Sequence, residues 1–131
     1  MKINLFLLLS ILFLNGCLER EIYTEIAKPD FIAHPPSALY IEDLSGTLKS
    51  DFKNDSKALL HLEVYTHSAH CTNAQSRSLG TCFDGYIRIT LKEQNTTIAR
   101  AQMDYKGEPD AQKIQYVYDH LIEELQWKTP L

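Results

Sequence analysis

The 131-residue chain lacks the features that mark several large functional classes. Acidic residues outnumber basic ones, 17 Asp and Glu against 13 Lys and Arg, so the net charge of −4 gives no basis for nucleic acid binding. No GxSxG, GxGxxG, HExxH or phosphate-binding-loop sequence occurs, and no spacing singles out a nucleophile and its base. These absences predict a protein that is not an enzyme, that carries no cofactor and that has no nucleic acid partner.

Long apolar runs are also missing. The longest covers residues 3–14, about 12 residues, whereas a membrane-spanning helix needs about 20. Lys2 precedes this run, and the charged sequence Glu19-Arg20-Glu21 follows soon after it. A short apolar run with a positive residue in front of it is typical of a secretion signal. We therefore predict that residues 1–16 are a signal peptide.

The apolar run ends in the sequence Leu14-Asn15-Gly16-Cys17. It resembles the lipobox of bacterial lipoproteins, in which an aliphatic residue, a small residue and Gly or Ala precede a cysteine; Asn15 departs from that pattern. The resemblance implies cleavage before Cys17 and attachment of lipid to its thiol, with acyl chains such as palmitate. Two or more such chains anchor a protein stably to a membrane. In a host with two membranes, Leu18 in place of Asp implies the outer membrane, with the protein facing the periplasm.

Cysteine is scarce, with only Cys17, Cys71 and Cys82 in the chain. If Cys17 is acylated, two cysteines remain, and an oxidising compartment favours their pairing. We therefore predict a disulfide between Cys71 and Cys82 that closes a polar loop between two strands. If the leader is instead a plain signal peptide, Cys17 stays free or forms a disulfide, and one thiol is left over.

A metal site is the less favoured interpretation of the same region. His67, His70 and Cys71 fall within five residues, with Cys82 and Asp84 nearby, and zinc binds such ligands. The chain has no paired CxxC sequence, however, and export favours pairing of the two sulfur atoms. We therefore predict no bound metal, with His67 and His70 as the candidates if one is present.

Residues 17–37 are predicted to be a lipidated tether between the membrane and the folded domain. Pro29, Pro35 and Pro36 interrupt any helix in this segment, which could span roughly 65 Å if fully extended. The alternative is that the segment packs onto the domain as an N-terminal arm, because it is rich in large apolar side chains. These are Ile22, Ile26, Phe31 and Ile32.

Residues 38–131 are predicted to form a single α+β domain in the periplasm. Residues 37–43 form a short strand candidate between Pro-Pro and Ser-Gly. Apolar and polar residues alternate within 58–70, 85–93 and 96–107, which is the pattern of strands with one buried face. The last two of these strands are joined by a short polar link and should form an antiparallel hairpin.

Two helices are predicted to cover one face of this sheet. The spacing of Leu44, Leu48 and Phe52 predicts the first helix, and a single apolar stripe within 110–127 predicts the second. The order β-α-β-β-β-α then gives a two-layer sandwich with a mostly antiparallel sheet, in which the first two strands are compatible with parallel pairing. The other face of the sheet would be wet and would carry His61, Glu63, Arg88, Thr90, Lys92, Arg100 and Gln102.

This architecture behind an N-terminal lipid is similar to that of two groups of bacterial lipoproteins. One group assists lipopolysaccharide assembly, and the other serves as auxiliary subunits of ABC-type lipid transporters. The similarity is one of architecture alone, so no functional residues carry over. It implies a non-catalytic accessory or docking subunit of an outer-membrane or transport assembly, with the membrane and an envelope protein as partners. The alternatives are a ligand- or metal-binding periplasmic module and a periplasmic enzyme.

Overall fold

The computed structural model describes residues 21–69, 71–75, 79 and 82–127. The predicted signal peptide and Cys17 lie outside the described residues. Six strands form one mixed sheet in the order β1-β6-β5-β4-β2-β3, and one helix packs against β5 and β6, so the described chain is an α+β structure. The elements are β1 (Tyr23–Ile26), a 3-10 helix (Pro29–Ala33), β2 (Ala38–Glu42), β3 (Lys53–Asn54), β4 (Leu60–Ser68), β5 (Gly85–Glu93), β6 (Thr96–Tyr105) and α1 (Ala111–Glu124).

The core lies between α1 and the inner face of the sheet. Alternate residues of β5, namely Ile87, Ile89 and Leu91, are fully buried, because successive side chains of a strand point to opposite faces. The helix starts after Asp110, whose carboxylate accepts a hydrogen bond from the backbone N–H of Lys113 at 2.9 Å and so caps the first turn. The predicted apolar stripe of α1 closes this core with Ile114, Val117, Tyr118, Leu121 and Ile122.

Neighbouring strands are antiparallel along the spatial order β1-β6-β5-β4, and the pairing is parallel at the other edge of the sheet. β5 and β6 form the predicted hairpin through a turn at Gln94 and Asn95, and Gln94 has a positive φ of 54°. β2 and β4 pair in parallel, with Ile41 opposite Leu62. This pairing agrees with the long connection between these two strands, because parallel neighbours require a crossover.

The helix predicted from Leu44, Leu48 and Phe52 does not form, so that part of the prediction is wrong. Asp43 turns the chain instead: its Oδ1 accepts hydrogen bonds from the backbone N–H and the hydroxyl of Ser45, at 3.0 and 2.6 Å. Its Oδ2 accepts a further bond from the N–H of Leu48 at 3.0 Å. A side chain that binds nearby N–H groups competes with helix formation. Among the described residues, six strands and the 3-10 helix therefore precede α1, in place of the predicted β-α-β-β-β-α order.

Asp43→Ala is expected to destabilise this turn, with an effect that depends on pH. Partial burial raises the pKa of Asp43, but hydrogen bonds from the Ser45 side chain and from the backbone of Leu48, Ser45 and Thr47 outweigh it. The pKa therefore lies below its ordinary value of 3.8. The carboxylate stabilises the fold above about pH 4, and this contribution is lost as the pH falls through the lowered folded-state pKa.

Urea unfolding should show a loss of about 1 kcal/mol for Asp43→Ala at pH 7, and the loss should shrink toward about pH 2. Asp51→Ala is the matched control, because Asp51 is an exposed carboxylate in the same loop. Equal losses in the two variants at pH 7 would contradict the role of Asp43 in the turn.

The described part of the predicted tether forms the packed arm, which was the second of its two alternatives. β1 spans Tyr23–Ile26 and pairs with β6 as an edge strand. Directly after it, the N–H of Ala27 donates to the carbonyl of Ile98 at 2.8 Å. The indole N–H of Trp127 donates to the carbonyl of Phe31 at 3.3 Å, which fixes the 3-10 helix next to the end of α1. The sheet therefore includes residues that the sequence assigned to the tether.

Candidate functional site

One face of the sheet is not covered by α1 and carries polar side chains; we call it the open face. It exists because the strands alternate, so every second side chain points away from the core. None of the seven polar residues that the sequence placed there is buried. With their neighbours in register, the open face comprises Tyr23, Glu25, Tyr40, Glu42, His61, Glu63, Tyr65, His67, Tyr86, Arg88, Thr90, Lys92, Arg100, Gln102 and Asp104.

Cross-strand ion pairs organise the charges of the open face. Lys92 Nζ lies 2.6 Å from Glu63 Oε2, and Arg100 contacts Glu25 Oε2 through Nε at 2.8 Å and Nη2 at 2.7 Å. Each pair is partly exposed, so its contribution to stability is small. The pairs nevertheless hold long side chains in place and neutralise opposite charges. The open face is therefore a mixed polar surface and has no stripe of positive charge.

A histidine and a tyrosine stack at the β2 side of the open face. The rings of Tyr40 and His61 lie 4.7 Å apart and nearly parallel, at an interplanar angle of 23°. Nε2 of His61 is 2.9 Å from Oε2 of Glu42, but the nitrogen has no hydrogen-bond partner, so the two groups are close without being aligned for a bond. The imidazole is thus held by stacking and proximity.

Tyr86 is the centre of an aromatic cluster on the open face. Its ring stacks on His67 at 5.0 Å and lies 5.9 Å from the ring of Tyr65, which is 47% exposed. The Arg88 guanidinium sits 5.1 Å from the centre of the Tyr86 ring, and Arg88 Nε donates to Gln102 at 2.9 Å. Cation–π contact and stacking fix these side chains in defined positions. The cluster is a preordered surface with both apolar and hydrogen-bonding groups.

Of the sequence-based metal candidates, only His67 lies within the described residues, and it contacts an aromatic ring. His67 stacks on Tyr86, and His70 lies outside the described residues. Cys71 and Cys82 are joined as the predicted disulfide, with their Cα atoms 5.9 Å apart, so neither supplies a thiolate. In the ranges that the structure describes, no group of three or more His, Cys, Asp and Glu side chains is placed to hold a metal ion.

The carboxylate of Asp84 joins the disulfide loop to the segment that precedes α1. It is 8% exposed, and its carboxylate accepts hydrogen bonds from the N–H of Cys71 at 3.3 Å and from the N–H of Gly107 at 2.6 Å. Hydrogen bonds to a charged acceptor are the strong kind. The sequence indicated Asp84 only as a neighbour of a possible metal site. Its structural role depends on the approach of three loops, for which the sequence has no local signal.

A cavity of about 930 Å³ opens where β1 begins, and we call it the edge groove. β1 covers β6 only along Ala99–Gln102, whereas β6 continues to Tyr105, so the sheet edge steps inward at this point. The aromatic rings of Tyr23 and Phe83 lie in its wall. Four cations line the groove together with two carboxylates: Arg88, Arg100, Lys106 and Lys113, with Glu21 and Asp104.

Two groups with displaced pKa values lie away from both surfaces. Burial raises the pKa of Tyr118, whose hydroxyl shares a 2.6 Å hydrogen bond with Ser50, so this phenol stays neutral at physiological pH. The lowered pKa of Asp43 belongs to the turn described above. Both groups hold loops in place, and neither is part of the open face or of the edge groove.

Comparisons of the chain with protein-family models, with curated proteins and with solved structures give no match in any of the three. Within the described ranges, no helix combines the length and the apolar character that crossing a bilayer requires.

Proposed function

We propose that the protein is a non-catalytic lipoprotein of the bacterial envelope, anchored through Cys17, that docks its open face on a partner protein of an outer-membrane or transport assembly. Anchoring rests on the lipobox resemblance of residues 14–17. Docking rests on the surface that the sheet presents to solvent. The location that fits both is the periplasmic side of the outer membrane.

The Tyr86 cluster is the observation that carries the docking proposal. Tyr and Arg are enriched in protein interfaces and at the positions that contribute most of the binding energy. Here two tyrosine rings and one guanidinium lie side by side on a partly exposed surface. Because stacking already holds them, binding a partner would order few further side chains, which lowers the entropic cost of association.

The charge pattern of the open face favours a protein over a nucleic acid as the partner. Glu63 and Glu25 neutralise Lys92 and Arg100, whereas a phosphate backbone requires clustered positive charge. A mixed surface with paired charges and aromatic rings is complementary to another protein surface of the same mixed kind.

Site-specific photocrosslinking in cells tests the docking proposal. Tyr65 would be replaced by p-benzoylphenylalanine, and Tyr116 by the same residue as the matched control. The two side chains are similarly exposed, at 47% and 42%, but Tyr116 lies on α1, in the opposite layer. We expect one defined adduct from position 65 that is lost when Arg88 is also changed to Glu. Adducts of equal yield from both positions, or none from position 65, would contradict docking through the open face.

Cys17→Ser tests the anchor separately. If Cys17 carries the lipid, the mature wild-type protein should begin at residue 17, have the mass of the chain plus its acyl groups, and fractionate with membranes. The serine variant should not be acylated and should leave the membrane fraction, because no other membrane attachment is part of the proposal. Unchanged membrane fractionation and abundance of the variant would contradict the lipid anchor.

A further inference from the structure

A second groove opens at the end of the sheet that carries the β5–β6 turn. The main contacts of α1 are with β5 and β6, and beyond the helix a cavity of about 570 Å³ lies between residues 30–38 and residues 55–60. Glu93, the last residue of β5, also lines it. We call this cavity the acidic groove. None of the residues that line it belongs to the open face or to the edge groove, so it is a separate surface.

Part of the acidic groove is apolar. Leu60 is 6% exposed and belongs to the core, and Phe31 packs partly buried against the same core. Leu59, which directly precedes β4, also lines the groove but is 82% exposed. An apolar side chain that entered the groove would remove its own surface and that of Leu59 from water, which favours binding.

Carboxylates outnumber cations in the lining of the groove. Asp30, Asp55 and Glu93 face a single lysine, Lys57. Among the residues that the structure describes, no basic side chain forms an ion pair with any of these three carboxylates. Asp55 Oδ1 accepts the backbone N–H of Lys57 at 2.9 Å, a bond that leaves its charge in place. His34 is the other titratable group of the lining, and even when protonated it leaves the groove negative.

Glu93 brings negative charge next to the apolar part of the groove. Ile87, Ile89 and Leu91 point to the inner face of the sheet, and Glu93 is the next residue in this series. In register it lies opposite the core residue Leu60, and it is half-buried. An occupant of the groove therefore meets apolar surface and a carboxylate at adjacent positions.

The openness of the groove favours a side chain presented by a larger molecule over a free small molecule. Pockets for small molecules enclose most of the surface of their ligand. Here Asp30 and His34 on one side and Leu59 on the other are exposed, so an occupant stays partly open to solvent. A protein partner covers the remaining surface of its own inserted side chain, as in interfaces where one anchor residue fills a pocket.

We propose that the acidic groove binds a segment of a partner protein in which a large apolar residue has a lysine or arginine next to it. The apolar side chain lies on Phe31, Leu59 and Leu60, and the basic side chain pairs with the carboxylates of the rim. Complementary charge then selects the partner, and apolar contact contributes most of the affinity. This surface is additional to the open face and does not depend on the lipid anchor.

Binding of dye-labelled peptides, measured by fluorescence anisotropy, tests this proposal. The full-length protein purified from cells is transferred from detergent into phosphatidylcholine nanodiscs, because detergent would compete for an apolar groove. The probe is the peptide Gly-Lys-Leu-Lys-Gly with a neutral dye. Gly-Glu-Leu-Glu-Gly keeps the leucine and reverses the charge, and Gly-Lys-Ser-Lys-Gly keeps the charge and removes the apolar side chain. Empty nanodiscs supply the background signal.

We expect the Lys-Leu-Lys peptide to bind at least about fivefold more tightly than either control peptide. Glu93→Gln and Leu59→Asn should each weaken its binding by about threefold or more. Two matched variants should leave binding unchanged: Glu123→Gln removes an exposed carboxylate from α1, and Leu44→Asn removes a leucine that is 97% exposed.

Several outcomes would overturn the proposal. Equal affinity for the lysine and glutamate peptides would exclude charge recognition, and equal affinity for the leucine and serine peptides would exclude the apolar contact. Equal effects of the groove variants and their matched variants, or no binding at millimolar peptide, would exclude the groove as the site. Hexylammonium that displaces the peptide at equal concentration would assign the groove to a small cationic ligand. In cells, p-benzoylphenylalanine at position 59 that gives an adduct of twice the chain mass would assign it to a second copy of the protein.

Discussion

Gly85→Ala is expected to lower the free energy of unfolding by about 3 kcal/mol or more. A Cβ atom at Gly85 would overlap the backbone carbonyl of His67 and would lie 2.6 Å from the Tyr105 hydroxyl. The hydroxyl donates to that same carbonyl at 3.0 Å, so the tyrosine passes close over the glycine. The carbonyl belongs to β4, which is paired with β5, and cannot move without breaking the sheet. Chemical denaturation of the purified variant would measure the loss.

Gly107→Ala is the control that separates a clash from ordinary glycine strain. Gly107 has a φ of 81° and would meet no atom within 4 Å as alanine, so only the left-handed backbone opposes the change, at about 1 kcal/mol. Tyr105→Phe should also cost about 1 kcal/mol, through one lost hydrogen bond. The double variant Gly85→Ala, Tyr105→Phe should be no more stable than Gly85→Ala, because the clash with the carbonyl remains. Similar losses for Gly85→Ala and Gly107→Ala would contradict the close approach.

The sequence predicted those elements whose pattern repeats over several residues. The alternation predicts a strand over 85–93, and β5 is found at Gly85–Glu93, because apolar residues at every second position bury one face of a strand. The last helix was expected from a stripe of six apolar residues, and it is found with its start fixed by Asp110. In both elements, the local pattern of apolar residues and their burial against the core require the same geometry.

Short or side-chain-directed elements could not be predicted in this way. Three apolar residues at helical spacing are too few to distinguish a helix from a loop, and in the loop that forms, Leu48 and Phe52 pack on the core whereas Leu44 is exposed. The deciding interactions come from Asp43, whose carboxylate binds the N–H of Leu48, a group that a helix would bond to the carbonyl of Leu44. β1 has four residues and β3 has two, and such short edge strands are defined by the neighbouring strand they pair with.

The same distinction between predictable and unpredictable features applies to the candidate site. Alternation predicted which residues occupy the open face, such as His61, Glu63 and Arg88. It could not predict that Tyr86 gathers His67, Tyr65 and Arg88 into one cluster, because that depends on the register between β4 and β5. The edge groove depends on where β1 begins relative to the last residues of β6, which no local pattern encodes.

Removing the disulfide with the double variant Cys71→Ser, Cys82→Ser is expected to cost about 2–3 kcal/mol, since the bond closes a loop over a sequence separation of 11. For a domain of this size, the melting temperature should fall by on the order of 10 °C. The lost term comes mainly from the freer unfolded chain, so the folded sheet should keep its circular dichroism spectrum. Asp84 should still hold the N–H of Cys71, which limits the change in the folded state.

Reduction of the wild-type protein should reproduce the melting temperature of the double variant, and the reductant should have no effect on the variant itself. A melting temperature that is the same with and without the bond would contradict its contribution to stability. Thiol counting on the denatured protein adds a second discrimination, because the chain has three cysteines. An acylated Cys17 predicts no free thiol before reduction and two afterwards. One free thiol before reduction and three afterwards would leave the disulfide in place but would show that Cys17 carries no lipid.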